Sequence, residues 1–396
     1  MRNVSRIIGI FIGGTAMLFL ISSFVFSSEV SYQKDTNNLA STAVQIKEVK
    51  HLKTPEPLKG IYMTQCVASM PSFREKLAKL IDETELNSVV IDIKDYTGTI
   101  SFKTGNPEID VLSGSGCKVS DMQDFVDSLH DKNIYVIGRV TVFQDPLYVK
   151  AHSELAVKKK SDGGIWKDRK GISFIDVGAK PFWDYVISIA TSSYAIGFDE
   201  INFDYIRFPS DGDMKDILFP YTGTTAKKEM LRQFFSYLDS KIAGTGIVTS
   251  ADLFGMTTAN IDDLNIGQVL EYALENFDYV APMVYPSHYP PTFNGWPDPN
   301  KVPYEIVKFS LDAAVARNKF LYSEISTSTA STTPNLGLMK RINPLQLRPW
   351  LQDNDYPVHY TPAMVRAQIQ ATYDAGLTSW MLWDPANTYT KEALLP

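Results

Sequence analysis

From Leu58 to the C-terminus, short apolar, β-rich runs alternate with longer stretches whose apolar positions recur every three to four residues. Runs of the first kind read as strands and those of the second as amphipathic helices. The strand candidates are Gly60–Thr64, Ser88–Lys94, Ile134–Thr141, Gly197–Asp204, Ile247–Leu253, Tyr279–Tyr285, Phe320–Ile325 and Thr378–Trp383. Between them lie helix candidates at Ser72–Glu83, Ser120–Asp131, Pro181–Tyr194, Thr225–Ile242, Asp262–Asn276, Pro303–Ala316 and Pro362–Ala375. Proline opens several of these, where its missing N–H costs nothing. Strands separated by helices predict parallel pairing, and eight such units predict a closed (β/α)8 TIM barrel. An open doubly wound sheet is the structural alternative. It is weakened because no glycine-rich phosphate loop follows the first strand.

Ahead of the barrel, residues 7–26 (IIGIFIGGTAMLFLISSFVF) carry no charge and follow Arg2 and Arg6. About 20 apolar residues suffice to cross a bilayer as a helix. The basic flank favours a cytoplasmic N-terminus, with the rest of the chain outside. Phe26-Ser27-Ser28 is a poor small-x-small cleavage site, so the expectation is an uncleaved single-pass anchor over residues 1–27. Cleavage would instead give a secreted protein. Residues 28–57 are polar and end in TPEP, which reads as a flexible stalk. Residues 58–396 are left for the barrel.

Composition narrows the chemistry. A formal net charge of -7 argues against a nucleic-acid partner, which needs a concentrated basic surface. The 20 Tyr, 21 Phe and 6 Trp fill a large core first and could line a sugar cleft second. The two cysteines, Cys66 and Cys117, lack a metal-type spacing; outside the cytoplasm they could pair, but sequence gives no distance between them, and free thiols are the favoured expectation. None of the five histidines forms H-x-H or H-E-x-x-H, and there is no G-x-S-x-G elbow. No metal or other cofactor is therefore expected. Asp211-Gly212-Asp213 and Asp353-Asn354-Asp355 resemble fragments of calcium loops but complete none, and read as solvated turns.

The strand ends carry the candidate chemistry. Side chains alternate along a strand, so Ile201 and Phe203 face the helices while Glu200, Asn202 and Asp204 face the barrel interior. Asp204 is nearest the C-terminal mouth, where barrel enzymes gather their catalytic groups. Glu200 lies deeper and is expected to orient it, and Asp199 faces the helices in a structural role. Asp92 and Lys94 end strand two, where they read as an internal ion pair shaping the site. Arg139 ends strand three, Asp252 strand five, Tyr285 strand six and Glu324 strand seven. Trp383 ends strand eight, and Asp384 reads as a turn residue. Glycoside hydrolysis needs one protonated and one ionised carboxyl group. Lys94, Arg139 and Arg207 are the cations available to hold one of them ionised, and Tyr285 and Trp383 are candidates for stacking on sugar rings.

The segments KGIYMT, SVVIDIKDYTG, GFDEINFDYIRFPSDG, SADLFG, DYVAPMVYPSHY and WMLWDP resemble a glycosyl hydrolase domain family once defined as a domain of unknown function. The resemblance runs from about Leu58 to the C-terminus, and FDEINFDYIRFP is its most specific part. It implies a TIM barrel of the glycosidase superfamily, related to α-amylase-like barrels, and bacterial export. Asp204 resembles the strand-four aspartate that commonly serves as nucleophile in those barrels. For the acid/base, amylase-like barrels place a glutamate after strand five, where this chain has Asp252. Other glycosidase barrels use a glutamate on strand seven, which Glu324 would match. The assignment stays open between these two.

The expected function is hydrolysis of an extracellular or cell-envelope polysaccharide. Asp204 and either Glu324 or Asp252 would be catalytic. Asp92, Lys94, Arg139, Glu200, Asn202, Arg207, Tyr285 and Trp383 would form the substrate site. The alternative is a tethered glycan-binding or scaffolding barrel without a competent carboxyl pair.

Overall fold

The computed structural model describes residues 49–328 and 342–396. Eight parallel strands close into a barrel in sequential order: β1 (Lys59–Met63), β2 (Ser88–Lys94), β3 (Tyr135–Thr141), β4 (Glu200–Asp204), β5 (Val248–Phe254), β6 (Tyr279–Met283), β7 (Trp350–Gln352) and β8 (Trp380–Trp383). β8 returns to β1 through the pairs Lys59–Trp380, Gly60–Met381 and Ile61–Leu382. The helices between strands are α1 (Pro71–Asp82), α2 (Met122–His130), α3 (Lys180–Tyr194), α4 (Lys227–Ile242), α5 (Leu270–Asn276), α6 (Pro303–Ser328) and α7 (Pro362–Asp374). Closure leaves no sheet edge exposed to other chains.

Two apolar layers hold this arrangement. Outward-facing residues such as Ile61, Val89, Ile91, Ile201, Phe203 and Leu382 pack under the helices. Inward-facing Tyr62, Val90, Tyr135, Ile137, Ala281, Tyr285, Trp350 and Met381 fill the barrel itself. The interior is thus a packed core, and a ligand can enter only from its rim.

The expected seventh strand, Phe320–Ile325, is instead the continuation of α6. Val307, Leu311, Ala314 and Asn318 are buried, and Leu321 packs partly against the same core. Their spacing of three and four is the helical period, and it runs straight through the supposed strand. β7 is only three residues long and meets β6 at the single pair Met283–Trp350. An isolated bridge between Val280 and Leu347 extends that seam.

Residues 49–57, which the sequence assigns to a flexible stalk, begin to pack against the N-terminal end of the barrel. His51 stacks on Tyr194 with ring centroids 3.8 Å apart. The Leu52 N–H donates to Asp199 Oδ1 at 2.6 Å, and Thr54 Oγ1 pairs with Tyr135 Oη at 3.0 Å. Asp199 also accepts from the Val136 N–H and pairs with His130, which fits its expected structural role. The proposed membrane anchor and the earlier part of the stalk lie outside the described residues. Among the described residues no helix is long and apolar enough to cross a membrane.

Cys66 and Cys117, expected as free thiols, form a disulfide with Cα atoms 4.9 Å apart. It links the turn after β1 to the segment leading into α2. A sequence separation of 51 residues gave no hint of this proximity, which follows from β1 and β2 being barrel neighbours.

Candidate active site

The inward row on β4 is stratified by depth. At the bottom, Glu200 Oε2 accepts from Arg348 Nη1 (2.9 Å) and Tyr135 Oη (3.2 Å). Glu200 is thus held by a cation from the segment preceding β7 and does not orient Asp204, contrary to the sequence expectation. In the middle, Asn202 Nδ2 donates to Ser250 Oγ (3.1 Å) and Asp252 Oδ1 (2.9 Å). At the top, Asp204 reaches the rim.

One guanidinium organises that rim. Arg139 Nη1 donates to Asp92 Oδ1 at 2.6 Å. Its Nη2 and Nε donate to Asp204 Oδ2 at 2.5 and 3.1 Å. These are charge-assisted bonds inside a buried site, where each partner needs the other to offset lost hydration. Asp204 Oδ1 accepts the Tyr205 N–H at 2.6 Å. Tyr205 adopts φ +51°, a left-handed conformation uncommon outside glycine. Tyr62 Oη donates to Asp92 Oδ2 at 2.5 Å and its ring stacks on Trp383 at 4.2 Å.

Asp252 occupies a different environment. Asn202 and Trp350 Nε1 (2.8 Å) both donate to its Oδ1. Its Oδ2 accepts no hydrogen bond from the described residues and stands 4.0 Å from Arg139 Nε. Burial, then the negative charge of Asp204, raise the Asp252 carboxyl well above the ordinary carboxylate range, against the opposing pull of Arg139. Burial also raises Asp92, with Arg139 and Tyr62 opposing it.

Asp204 and Asp252 follow the paired residues Phe203 and Ala251 on adjacent strands, so their side chains are lateral neighbours. Their Oδ2 atoms stand 3.1 and 4.0 Å from the same Arg139 Nε, so they are at most about 7 Å apart, inside the ~9.5 Å upper limit for glycosidase carboxyl pairs. Both line a pocket of about 180 Å³, with Arg139 on its floor. Tyr285, Met283, Phe254, His288 and Trp383 form one wall; Tyr205 and Arg207 form another. Flat rings beside a carboxyl pair suit a pyranose, whose C–H faces are apolar and whose hydroxyls are not.

Residues 60–389 match the family described as "putative glycosyl hydrolase domain". The chain belongs to this family. Its fold is that of the glycosidase TIM barrels, and its function is glycosidase-like. A hypothetical protein from Ruminiclostridium thermocellum is 32% identical over 52% of this chain and 98% of its own, with a TM-score of 0.45. The PgaB (BpsB) glycoside hydrolase domain from Bordetella bronchiseptica is 12% identical, with 83% of this chain and 94% of that one covered and a TM-score of 0.57. Chitobiase from Flavobacterium johnsoniae is 10% identical, with 85% and 47% covered and a TM-score of 0.50. No curated protein sequence matches the chain.

Within this family member, the structure gathers most of the sequence-predicted residues. Asp204, Asp252, Arg139, Arg207, Tyr285 and Trp383 line one pocket, and Asp92 joins it through Arg139. Glu324 does not: it is exposed near the C-terminal end of α6 and cannot serve a strand-seven role. Lys94 does not pair with Asp92 either. The β2–β3 register shifts between Asp92 and Lys94, and Lys94 instead meets Asp145 at 2.9 Å. The Asp353 turn is not solvated. Its buried carboxyl accepts from the Thr390 N–H and Oγ, and burial pushes it up to about 7. Asp384 is the turn residue expected, accepting from the Ala386 and Thr388 N–H groups.

Sequence reasoning missed Trp350, Tyr62, Arg348 and the rim residue His288. Trp350 was invisible because its strand was placed elsewhere. Tyr62 could have been found, since it alternates inward with Gly60 along the first strand.

Proposed function

We propose that this protein is a glycoside hydrolase, tethered to the membrane on its extracytoplasmic side, that cleaves an extracellular or cell-envelope polysaccharide. The observation that carries the reading is the contrast between Asp204 and Asp252, neighbours in one pocket: Arg139 bonds directly to Asp204 but stands 4.0 Å from Asp252. Arg139 supplies the counter-charge for an anionic Asp204. Asp252 lies beside that anion, buried, with its proton favoured. Asp252 then protonates the departing glycosidic oxygen, while Asp204 attacks or stabilises the positive charge that develops at the anomeric carbon. Asp92 and Tyr62 fix the far side of Arg139. Tyr285 and Trp383 hold the ring.

The test is a screen of wild-type protein on a broad set of polysaccharides, followed by pH profiles on whichever is cut. Asp252 works in its protonated form, so activity is lost as pH rises through its pKa. That alkaline limb should lie well above pH ~4, where an ordinary carboxyl titrates. In Asp252→Asn the limb should vanish, and an aryl glycoside with a good leaving group should keep far more activity than the natural polymer. An unchanged alkaline limb in the variant would remove Asp252 as the acid.

The disulfide supports an oxidising location, since such bonds are rare in the cytoplasm. The uncharged run at residues 7–26 supports the tether. Protease added to intact cells should digest the barrel while the protein sediments with membranes. Protection of the barrel until lysis would rule out this topology.

A further inference from the structure

A second cavity of about 520 Å³ opens on the same rim, among the loops that follow β2, β3 and β4. It shares Tyr205 and Arg207 with the catalytic pocket, so these two side chains border both cavities. Tyr96 flanks it from the β2 loop and is 53% exposed. Gln144 lines it from the β3 loop and is only 5% exposed. The Gln144 side-chain amide has no hydrogen-bond partner among the described residues. It is not among the fully buried unpartnered groups, so its polar atoms meet solvent in that space, where a ligand can take the place of water. Arg207 is similarly placed: Nη1 donates to the Phe208 carbonyl (3.2 Å) and Ser210 Oγ (3.0 Å), and no carboxylate of the described residues pairs with it.

The walls are built rather than loose. The β3 and β4 loops are joined by a short antiparallel ladder pairing Lys158 with Leu218 and Lys159 with Ile217. Trp166 Nε1 donates to the Asp213 carbonyl at 2.9 Å, and Asp176 accepts from the Tyr221 N–H at 2.7 Å and the Thr222 hydroxyl at 2.5 Å. Such ties fix the cavity's shape before any ligand arrives.

We infer that this cavity is a second sugar subsite. It takes the neighbouring residue of a chain whose scissile bond lies at Asp204 and Asp252. Gln144 reads a hydroxyl or acetamido group on that residue, Tyr96 and Tyr205 offer ring faces, and Arg207 donates across the junction. The substrate is therefore a polymer gripped over several residues. The inference rests on the hydrolase reading, and its test separates the two.

Full-length protein would be assayed on ladders of two to six residues prepared from chitin, from cellulose and from peptidoglycan glycan strands. Wild-type kcat/KM should rise at least tenfold at the length that first fills the second cavity. In Gln144→Ala, and in Tyr96→Ala at an exposed position where folding is not at risk, the ratio of long-chain to short-chain kcat/KM should fall by a similar factor. A wild type indifferent to length, or variants that slow all lengths equally, would overturn the subsite while leaving the hydrolase intact. If wild type cleaves none of the ladders and Asp204→Asn binds none, both readings fall together.

Discussion

Replacing Asp204 with asparagine should leave the barrel folded and lower turnover by about a thousandfold or more on a verified polysaccharide. Asparagine keeps the shape, and its single amide oxygen can still accept from Arg139, while the bond from the Tyr205 N–H is lost because an amide NH2 cannot accept it. What disappears is the negative charge. Without it, nothing attacks or stabilises the developing cation at the sugar. The neighbouring charge that helps keep Asp252 protonated is also gone, so its pKa falls and a smaller fraction carries the proton, as a second effect. Circular dichroism at the assay temperature should match wild type while initial rates collapse. A variant with near-normal rates would show that Asp204 has no part in the chemistry.

The second large effect concerns stability. Arg139 is buried and is the shared cation for Asp92 and Asp204. Arg139→Met keeps the volume and strands both carboxylates, which should cost about 3–5 kcal/mol in urea unfolding at neutral pH. The deficit should depend on pH. In the variant the buried carboxyls bind protons more tightly folded than unfolded, so stability is highest at acid pH and is lost as pH rises through their folded pKa values. Adding Asp92→Asn and Asp204→Asn to the same chain should recover most of the loss. If the single variant unfolds at the wild-type urea concentration, the guanidinium is not the rim's central support.

The sequence made the barrel legible because most of its strands are apolar runs of five to seven residues bounded by amphipathic helices, several of which open with proline. The exception shows where the signal ends. Trp350–Gln352 is too short to display a period, and its ladder to β6 is a single pair. Meanwhile FLYSEI carries an aromatic, apolar character that mimics a strand, although Val307, Leu311, Ala314 and Leu321 already mark a helix extending through it. Glu324 was lost with that segment. Asp204, Asp252 and Arg139 were legible because inward alternation and nearness to a strand end suffice to bring them to the rim. The pairings were not. Lys94 turns away because of a one-residue register shift, and Arg348 reaches Glu200 from 148 positions along the chain. Neither is encoded in local pattern.

The hydrogen bonds to Asp252 come from Asn202 on β4 and Trp350 on β7, so opposite flanks of the ring meet on a single oxygen. Neither a first half ending after α4 nor a second half beginning at β5 contains all three residues. The orientation of the carboxyl on which the proposed chemistry depends is consequently a property of the finished ring, and a half-assembled chain has no means of fixing it.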